Sequence, residues 1–178
     1  MARLQGSTQR LPLDRARMTE DIGGLYDYWA ALPCAGVAPA WGDSLGGDFH
    51  LVELHSRVLP IMVVVDAGPG PNLFTYRYWG SDRSPFAHAG DPTGHPVQSA
   101  AHPSIVDQVV AQYAEVVARA MPILVLSSFP LKSGLIADVQ TLRLPLSGDG
   151  RTVDKVVGAT QFLRHKDEFL RELAAVAE

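Results

Sequence analysis

Histidines are the residues of this chain whose spacing comes nearest to metal chemistry. They form two groups: His88, His95 and His102, seven residues apart, and His50 and His55, which flank Glu53. A metal site needs its ligands on rigid elements with supporting hydrogen bonds. Pro92 and Pro96 interrupt any helix that would place the first group on one face. The second group does not match the spacing of a His-Glu-x-x-His motif. The sequence therefore predicts surface or capping histidines and no metal site.

A potential nucleophile lies in the run Gly42-Asp43-Ser44-Leu45, which spells the first block of the GDSL ester hydrolases. Such a serine needs a base and an oxyanion site, and the motif follows a strand. The preceding residues 36–41 are poor strand formers. The chain also lacks a Gly-x-Asn-Asp block and an Asp-x-x-His sequence near its end. We expect a loop here, no catalytic residue and no enzyme activity; a small ester hydrolase with Ser44 as nucleophile is the alternative.

Composition and short sequence patterns disfavour nucleic-acid binding, an intrachain disulfide and a phosphate-binding loop. The 178 residues carry a net charge of −4 without a cluster of Lys and Arg, which disfavours nucleic acid because phosphate contacts supply most of that affinity. Cys34 is the only cysteine, so we expect a structural thiol and no intrachain disulfide. Pro69 and Pro71 alternate with Gly68 and Gly70, and proline removes the N–H donors that a phosphate loop needs.

The distribution of apolar residues predicts a packed cytoplasmic domain. Hydrophobic residues make up 47% of the chain and charged residues 19%, which favours a core over disorder. No apolar run approaches the roughly 20 residues that span a bilayer. The first residues lack the apolar segment of a secretory signal. We therefore predict a cytoplasmic location and no membrane span.

The best candidates for contact with a ligand lie in the aromatic, β-prone run Leu73–Gly80. Strand alternation puts Phe74, Tyr76 and Tyr78 on one face, and Thr75, Arg77 and Trp79 on the other. Tyrosine hydroxyls in a cavity can orient a small ligand. The alternative for the aromatic residues is plain core packing. The alternative for Arg77 is pairing with an acidic side chain on a neighbouring element.

The elements that position these residues follow from apolar periodicity. We predict a flexible lead-in over residues 1–17 and a single domain over 18–178. Apolar stripes predict helices over Met18–Leu32 and Ile105–Ala120 and a closing helix from Asp167. The second helix has a polar outer face that includes Gln108 and Gln112. The predicted strands are Ile61–Val65, Leu73–Gly80, Ile123–Phe129, Ile136–Leu146 and Val153–Leu163.

This order predicts an α+β fold with a five-stranded antiparallel sheet, a helical crossover and flanking N- and C-terminal helices. Residues 81–102, rich in Gly, Pro and His, supply the irregular start of the crossover. The N-terminal helix has a broad apolar stripe, for which capping of the sheet and a homodimer contact are both open.

Short motifs spread over residues 26–163 strengthen this prediction. They are Tyr28-Trp29, Pro39, Leu59-Pro60, Phe74-x-Tyr76-Arg77-x-x-Gly80-Ser81, Gly90-Asp91-x-Thr93-Gly94, Leu144-Pro145-Leu146 and Asp154 to Gly158. In this order and spacing the chain resembles a bacterial family of divergent, stand-alone PAS domains. The resemblance implies a sensory or interaction module with no common set of catalytic residues. It also implies a cavity between the sheet and the crossover.

From the resemblance we predict a non-catalytic PAS-like module that binds a small molecule or a protein partner in signalling. The residues predicted to bind the ligand are Phe74, Tyr76, Arg77, Tyr78 and Ser81. No axial ligand or other motif points to haem or flavin, so no cofactor is predicted. No output segment is recognisable, so we expect the signal to pass by contact with another protein, with a homodimer through the N-terminal helix as a further expectation. A ligand-free structural adaptor is the other alternative.

Overall fold

A computed structural model of the chain describes residues 6–42, 48–70, 72–87 and 90–177. The strands are β1 (Ser7–Leu11), β2 (Met62–Ala67), β3 (Phe74–Trp79), β4 (Ile123–Pro130), β5 (Ile136–Leu146) and β6 (Lys155–Arg164). The α-helices are α1 (Glu20–Ala31), α2 (Val97–Ala100), α3 (Val106–Arg119) and α4 (Lys166–Ala177). Short 3-10 helices cover Arg15–Arg17, Leu51–Glu53, Leu59–Ile61 and Ser81–Phe86.

The strands form one antiparallel sheet in the order β1-β4-β5-β6-β2-β3. The hairpin β2–β3 lies at one end, and the consecutive strands β4, β5 and β6 fill the middle. The connection from β3 to β4 carries α2 and α3, so it crosses the sheet as a helical layer. This arrangement confirms the predicted α+β fold with an antiparallel sheet, a helical crossover and flanking helices.

The sheet has six strands rather than the five that we predicted. β1 lies inside the segment that the sequence predicts as a flexible lead-in, and it pairs with β4 from Ser7↔Ser128 to Leu11↔Leu124. Residues 1–5 of that segment lie outside the described part of the chain. β1 is an edge strand, and four of its five residues are exposed, while Leu11 is half-buried on the α1 side. A strand with no buried face shows no apolar alternation, so the hydrophobic pattern does not reveal it.

Helices cover both faces of the sheet. α2, α3 and α4 cover one face, where Tyr113 and Phe169 are buried in a common core. α1 covers the other face, where Ile22 and Leu25 are fully buried against the sheet. Burial of each of these two side chains stabilises the fold by about 1.5–3 kcal/mol. The apolar stripe of α1 therefore caps the sheet of its own chain.

The central strand β5 contributes to both cores. Its odd-numbered residues, among them Val139 and Thr141, face α3. Its even-numbered residues face α1: Leu142 and Leu144 are packed there. The period of two follows from the pleat of a β-strand. Only one layer of backbone therefore separates the α3 side of the sheet from the α1 side.

The pairing of the outer strand β3 with β2 contains an irregularity that the sequence pattern does not predict. Two consecutive residues of β2 pair with Tyr76 and Tyr78, so Arg77 has no counterpart in β2. An extra residue of this kind is a β-bulge, and alternation is reversed beyond it. Trp79 consequently packs in the same core as Phe74 and Tyr76, whereas Tyr78 packs on the α1 side. The predicted faces of Tyr78 and Trp79 are therefore wrong.

Glycine at position 23 has a structural reason. A side chain there would overlap the guanidinium of Arg15, which crosses the helix surface at this point. Arg15 Nε donates to Asp27 Oδ2 at 2.8 Å, one turn further along α1. The glycine thus lowers the intrinsic helix propensity of α1 but makes room for an ion pair that ties the helix to the preceding segment.

None of the helices within the described ranges combines the length and the hydropathy that crossing a bilayer requires.

Candidate ligand-binding site

The residues that we predicted to bind a ligand lie in three different places. Phe74 and Tyr76 are buried in the core beneath α3. Tyr78 and Ser81 line a surface groove, and the Tyr78 hydroxyl donates to the Leu59 carbonyl at 3.1 Å. The bulge is the reason that the two tyrosines separate. Their contact with a ligand stays a prediction.

Arg77, the fifth of these residues, is exposed at the bulge. Its Nε donates to Asp66 Oδ1 on β2 at 2.7 Å. This is the pairing with a neighbouring acidic side chain that the sequence left open as the alternative. An exposed pair of this kind stabilises a protein by about 0–1 kcal/mol.

A cavity of about 40 Å³ lies between α3 and the strands β4, β5 and β6. Part of its wall is apolar: Phe86, Ile105, Val109, Phe129 and Val139. The polar wall consists of hydroxyl, amide and guanidinium groups. Both sets occur on α3 and on β5, and a mixed lining of this kind is typical of small-molecule sites in proteins.

Two arginines stand in the wall of this cavity. The whole residues are only 4% exposed for Arg83 and 2% for Arg143. Within the described ranges, neither guanidinium makes an ion pair with a carboxylate. Buried arginine is rare unless it is paired, because desolvation of the charge costs several kcal/mol. Two such residues at one cavity mark it as the candidate site.

Aromatic rings, rather than carboxylates, lie next to the guanidinium groups of both arginines. Arg83 Cζ lies 4.9 Å from the ring centroid of Trp79 and 5.5 Å from that of Phe86. Arg143 Cζ lies 4.6 Å from the ring centroid of Tyr113. Desolvated contacts of this type are worth about 2 kcal/mol each, less than the cost of burying the charge. The rings therefore orient the two guanidinium groups without neutralising them.

Burial and the charge of Arg143 together lower the pKa of Arg83 to about 10. That value leaves Arg83 protonated at neutral pH, so the cavity wall carries two positive charges. Burial raises the pKa of the Tyr76 hydroxyl well above its ordinary value, and the nearby Tyr113 raises it further. Tyr76 is therefore neutral at neutral pH and supplies no counter-charge.

Several buried polar atoms in this region have no hydrogen-bond partner among the described residues. They are Arg83 Nε and Nη1, Arg143 Nη1, Trp79 Nε1 and the Tyr113 hydroxyl. Every one of them can donate a hydrogen bond, and the four nitrogen atoms can only donate. An unsatisfied buried donor costs about 1–3 kcal/mol. Around the two arginines, the described residues thus leave several donor atoms without an acceptor.

Neutral polar side chains complete the wall. Gln112 is 5% exposed, and its Oε1 accepts a hydrogen bond from Arg143 Nε at 3.3 Å. Gln108 Nε2 donates to Ser127 Oγ at 2.7 Å and to Thr8 Oγ1 at 2.6 Å. The sequence predicts both glutamines on the solvent face of the helix, but both line the cavity and Gln112 is buried. Gln112 lies between Val109 and Val116 on the buried stripe of α3, where Arg143 is its hydrogen-bond partner.

The position of Arg83 depends on the turn that follows β3. Gly80 precedes the 3-10 helix Ser81–Phe86, and the Arg83 N–H donates to the Gly80 carbonyl at 3.0 Å. A side chain at position 80 would overlap the carbonyl oxygens of Leu59 and Pro60. The motif residues Leu59-Pro60 and Gly80 therefore contact each other and direct the short helix, with Arg83, toward the interior.

The position of Arg143 depends on a glycine in the neighbouring strand. Arg143 on β5 pairs with Gly158 on β6. A Cβ at position 158 would overlap Nη1 of Arg143 and lie 3.0 Å from its Cδ. Gly158 therefore leaves the space in which the arginine side chain lies across the sheet. Here the motif Asp154 to Gly158 has a function in the candidate site that the sequence analysis does not predict.

The motif Gly90-Asp91-x-Thr93-Gly94 fastens the crossover to β3. Asp91 Oδ1 accepts hydrogen bonds from the N–H and the hydroxyl of Thr93 at 2.9 and 2.7 Å. The Gly94 N–H donates to the Tyr76 carbonyl at 2.7 Å, and Gly94 has a φ of +81° that favours glycine. These contacts are local and structural, and they hold the start of the crossover against β3.

Two further groups from the sequence analysis lie partly outside the described residues. Asp43, Ser44 and Leu45 of the GDSL run are outside them, and so is His88 of the first histidine group. Among the residues that the structure does describe, no three His, Cys, Asp or Glu side chains group together as metal ligands. The single cysteine, Cys34, is exposed in the loop after α1.

The cavity does not fit a haem or a flavin. Its volume of about 40 Å³ is far below the roughly 300–1,000 Å³ of sites that hold molecules of that size. Its lining, in the described ranges, contains no histidine, cysteine or methionine as an axial ligand. A cavity of this volume has room for only a few non-hydrogen atoms.

No protein-family model matches the chain, and no curated protein sequence matches it. Among solved structures it is similar to the dark state of the blue-light photoreceptor Aureochrome1 LOV, at 13% identity and a TM-score of 0.42, over 76% of this chain and 96% of that one. It is also similar to the PAS domain of a protein from Colwellia psychrerythraea, at 12% identity and a TM-score of 0.40, over 61% and 92% of the two chains. A sensory box histidine kinase/response regulator from Burkholderia thailandensis is 12% identical with a TM-score of 0.31, over 66% and 88%.

These likenesses concern the fold. Identity at this level transfers neither a ligand nor a partner, and the candidate site rests on the residues of this chain alone.

Proposed function

We propose that this chain is a non-catalytic sensory module that binds a small molecule in the cavity beneath α3 and reports its presence to a partner protein. One observation carries the proposal: Arg83 and Arg143 are buried at one cavity with donor atoms that the described residues leave unsatisfied. A core that served packing alone would be more stable with apolar residues at these positions. A ligand that accepts hydrogen bonds offsets the cost.

The proposed output route begins at Gln108, which lines the cavity on α3 and donates to Thr8 on the edge strand β1. A second contact joins the same two elements, since Arg10 on β1 pairs with Glu115 on α3. A ligand that shifts α3 therefore changes the contacts that hold β1 on the sheet. An edge strand presents unpaired backbone groups, which a partner chain can recognise.

The test of ligand binding is the mass of the purified protein under native conditions, followed by its mass after denaturation. A mass excess that disappears on denaturation identifies a retained small molecule. The second arm is a thermal-shift screen of small metabolites, both charged and neutral, since a bound ligand raises the melting temperature by mass action.

A cavity-filling variant ties the result to this site. We expect Val109→Phe, which places a ring into the cavity wall, to abolish both the mass excess and the thermal shifts. Val52→Phe is the control, because Val52 is 81% exposed and away from the cavity. A protein with no mass excess and no response to any small molecule would refute the sensory proposal and favour a structural adaptor.

We also retain as a proposal that two copies associate through the N-terminal helix. Intermediately exposed aromatic residues on α1, Tyr26 and Trp29, support it, although the buried stripe of the helix caps the sheet. Light scattering coupled to gel filtration tests it. A mass of 19.2 kDa across the micromolar range would exclude the dimer at those concentrations.

A further inference from the structure

We infer that the ligand of this cavity is a small organic carboxylate, bound between the guanidinium groups of Arg83 and Arg143. The inference rests on the proposed function and adds the chemical class of the molecule that is sensed. It requires three properties of the ligand, which are a negative charge, an apolar part and a small size.

The negative charge follows from the electrostatics of the cavity wall. Arg83 and Arg143 repel each other, and this repulsion contributes to the lowered pKa of Arg83. No carboxylate of the described residues neutralises either group. A neutral ligand would satisfy the free donors but would leave both charges uncompensated. An anion does both.

The guanidinium geometry favours a carboxylate. Arginine presents its N–H groups as a planar fork that matches the two oxygens of a carboxylate. Gln112 Oε1 accepts from Nε of Arg143, which orients that fork and leaves Nη1 without a partner. On Arg83 the unpartnered atoms are Nε and Nη1. Two forks with free donors at one cavity are suited to the two oxygens of one ligand.

The apolar wall distinguishes an organic acid from an inorganic oxyanion. Ile105, Val109 and Val139 offer no hydrogen-bonding side-chain atoms, so they favour methyl or methylene groups over the peripheral oxygens of phosphate or sulfate. The volume of about 40 Å³ corresponds to about three water-sized positions. That is the size of formate, acetate or propionate, with about three to five non-hydrogen atoms.

The experiment compares acids with their neutral isosteres. The melting temperature of the full chain is measured against increasing formate, acetate and propionate, and against formamide, acetamide and propionamide, at constant ionic strength set with sodium chloride. We expect saturable stabilisation by acetate or propionate and at least tenfold weaker binding of the matching amide. Sodium phosphate, as the inorganic arm, should bind more weakly than the best carboxylate.

Variants then locate the binding. Isothermal titration with the best carboxylate should give at least a tenfold weaker Kd for Arg83→Met and for Arg143→Met. Arg171→Met should bind within twofold of the wild type, because this arginine is exposed on α4. If a methionine variant fails to fold, Arg143→Lys replaces it; lysine keeps the charge but loses the fork, so we expect weaker binding that still prefers the acid to the amide.

The outcomes separate the two proposals. Equal stabilisation by amides and acids, abolished by Val109→Phe, would overturn the carboxylate assignment and leave the sensory module standing. Tighter binding of phosphate than of any carboxylate would overturn the organic part of the assignment. Acid binding that survives both methionine variants would place the site elsewhere. No saturable response to any acid would overturn the inference outright, and the native mass would then decide the sensory proposal on its own.

Discussion

Replacement of Arg143 by methionine should make the ligand-free protein more stable. The substitution removes a buried charge that no carboxylate in the described part of the chain compensates, and with it the donor atom Nη1, for which those residues offer no partner. Relief of an unsatisfied buried group of this kind is worth about 1–3 kcal/mol, and more for a charged one. The losses are the ring contact with Tyr113, about 2 kcal/mol, and the 3.3 Å charge-assisted hydrogen bond to the buried Gln112, about 1.5–3 kcal/mol.

Exchange of buried charges for apolar side chains of similar size has a net effect of about 0 to 4 kcal/mol in favour of the fold. Since the contacts that Arg143 loses offset part of the gain, we expect the free energy of unfolding to rise by about 1–2 kcal/mol. For a chain of this length the melting temperature should rise by about 2–8 °C. The same variant is expected to lose its response to acetate.

Urea unfolding followed by circular dichroism measures this difference. Both proteins are first refolded from urea into a Tris–HEPES buffer, which removes retained small molecules and contains no carboxylate or phosphate. Arg171→Met, the same substitution at an exposed position, serves as the control and should stay within about 0.5 kcal/mol of the wild type. A loss of more than 1 kcal/mol in Arg143→Met would refute the reasoning, because it would mean that the fold itself compensates the charge.

Three further predictions follow from individual contacts. Gly80→Ala should lower the free energy of unfolding, measured by urea denaturation, by about 2–3 kcal/mol, because the new Cβ overlaps backbone carbonyl oxygens. Gly24→Ala should raise it by about 0.5–1 kcal/mol, because the new Cβ meets open space in α1. Hydrogen bonds from backbone N–H groups hold the pKa of the Asp149 carboxyl at about 2. The carboxylate therefore contributes fully to stability above its ordinary pKa near 4, and this contribution is lost as the pH falls toward 2. Asp149→Asn should remove this part of the acid dependence of the free energy of unfolding. Arg10→Ala should change global stability by less than about 1 kcal/mol but increase amide deuterium uptake over residues 7–11, because the exposed pair with Glu115 holds β1 locally.

Each of these predictions has an outcome that contradicts it. Equal stability of the two glycine variants would mean that the turn after β3 yields readily. An Asp149 carboxyl that titrates near 4 by NMR would mean that the turn at residues 147–152 is open in solution. Unchanged deuterium uptake in Arg10→Ala would show that the backbone ladder alone fixes β1.

Apolar periodicity predicted most of the fold and little of the site. The stripe of α3 and the runs of β4, β5 and β6 are visible in the sequence because each element buries one face or both. The edge strand β1 is not visible, since its side chains are exposed. The bulge at Arg77 is not visible either, because it depends on pairing with β2 and not on composition.

The two arginines of the candidate site differ in how clearly the sequence pattern indicates them. Arg143 stands between Leu142 and Leu144 in a strand that is otherwise apolar, and a charge at such a position could have been recognised as a candidate. Arg83 lies in an irregular segment among other polar residues, and its sequence neighbours do not indicate that it is buried. The sequence instead favoured the tyrosines of β3, of which Tyr76 lies in the core and Tyr78 at a surface groove.

The alternation of side chains along β5 has a consequence for how the sequence of this protein can evolve. Odd positions of the strand line the cavity, whereas even positions hold α1, with Gln140 accepting from the Thr19 N–H at 3.0 Å and donating to the Arg17 carbonyl at 2.7 Å. Substitutions at positions 139, 141 or 143 therefore alter what the cavity selects and leave the α1 contacts in place. The strand carries two independently variable sets of residues, so a new chemical specificity can arise, by mutation or by design, without rebuilding the opposite surface.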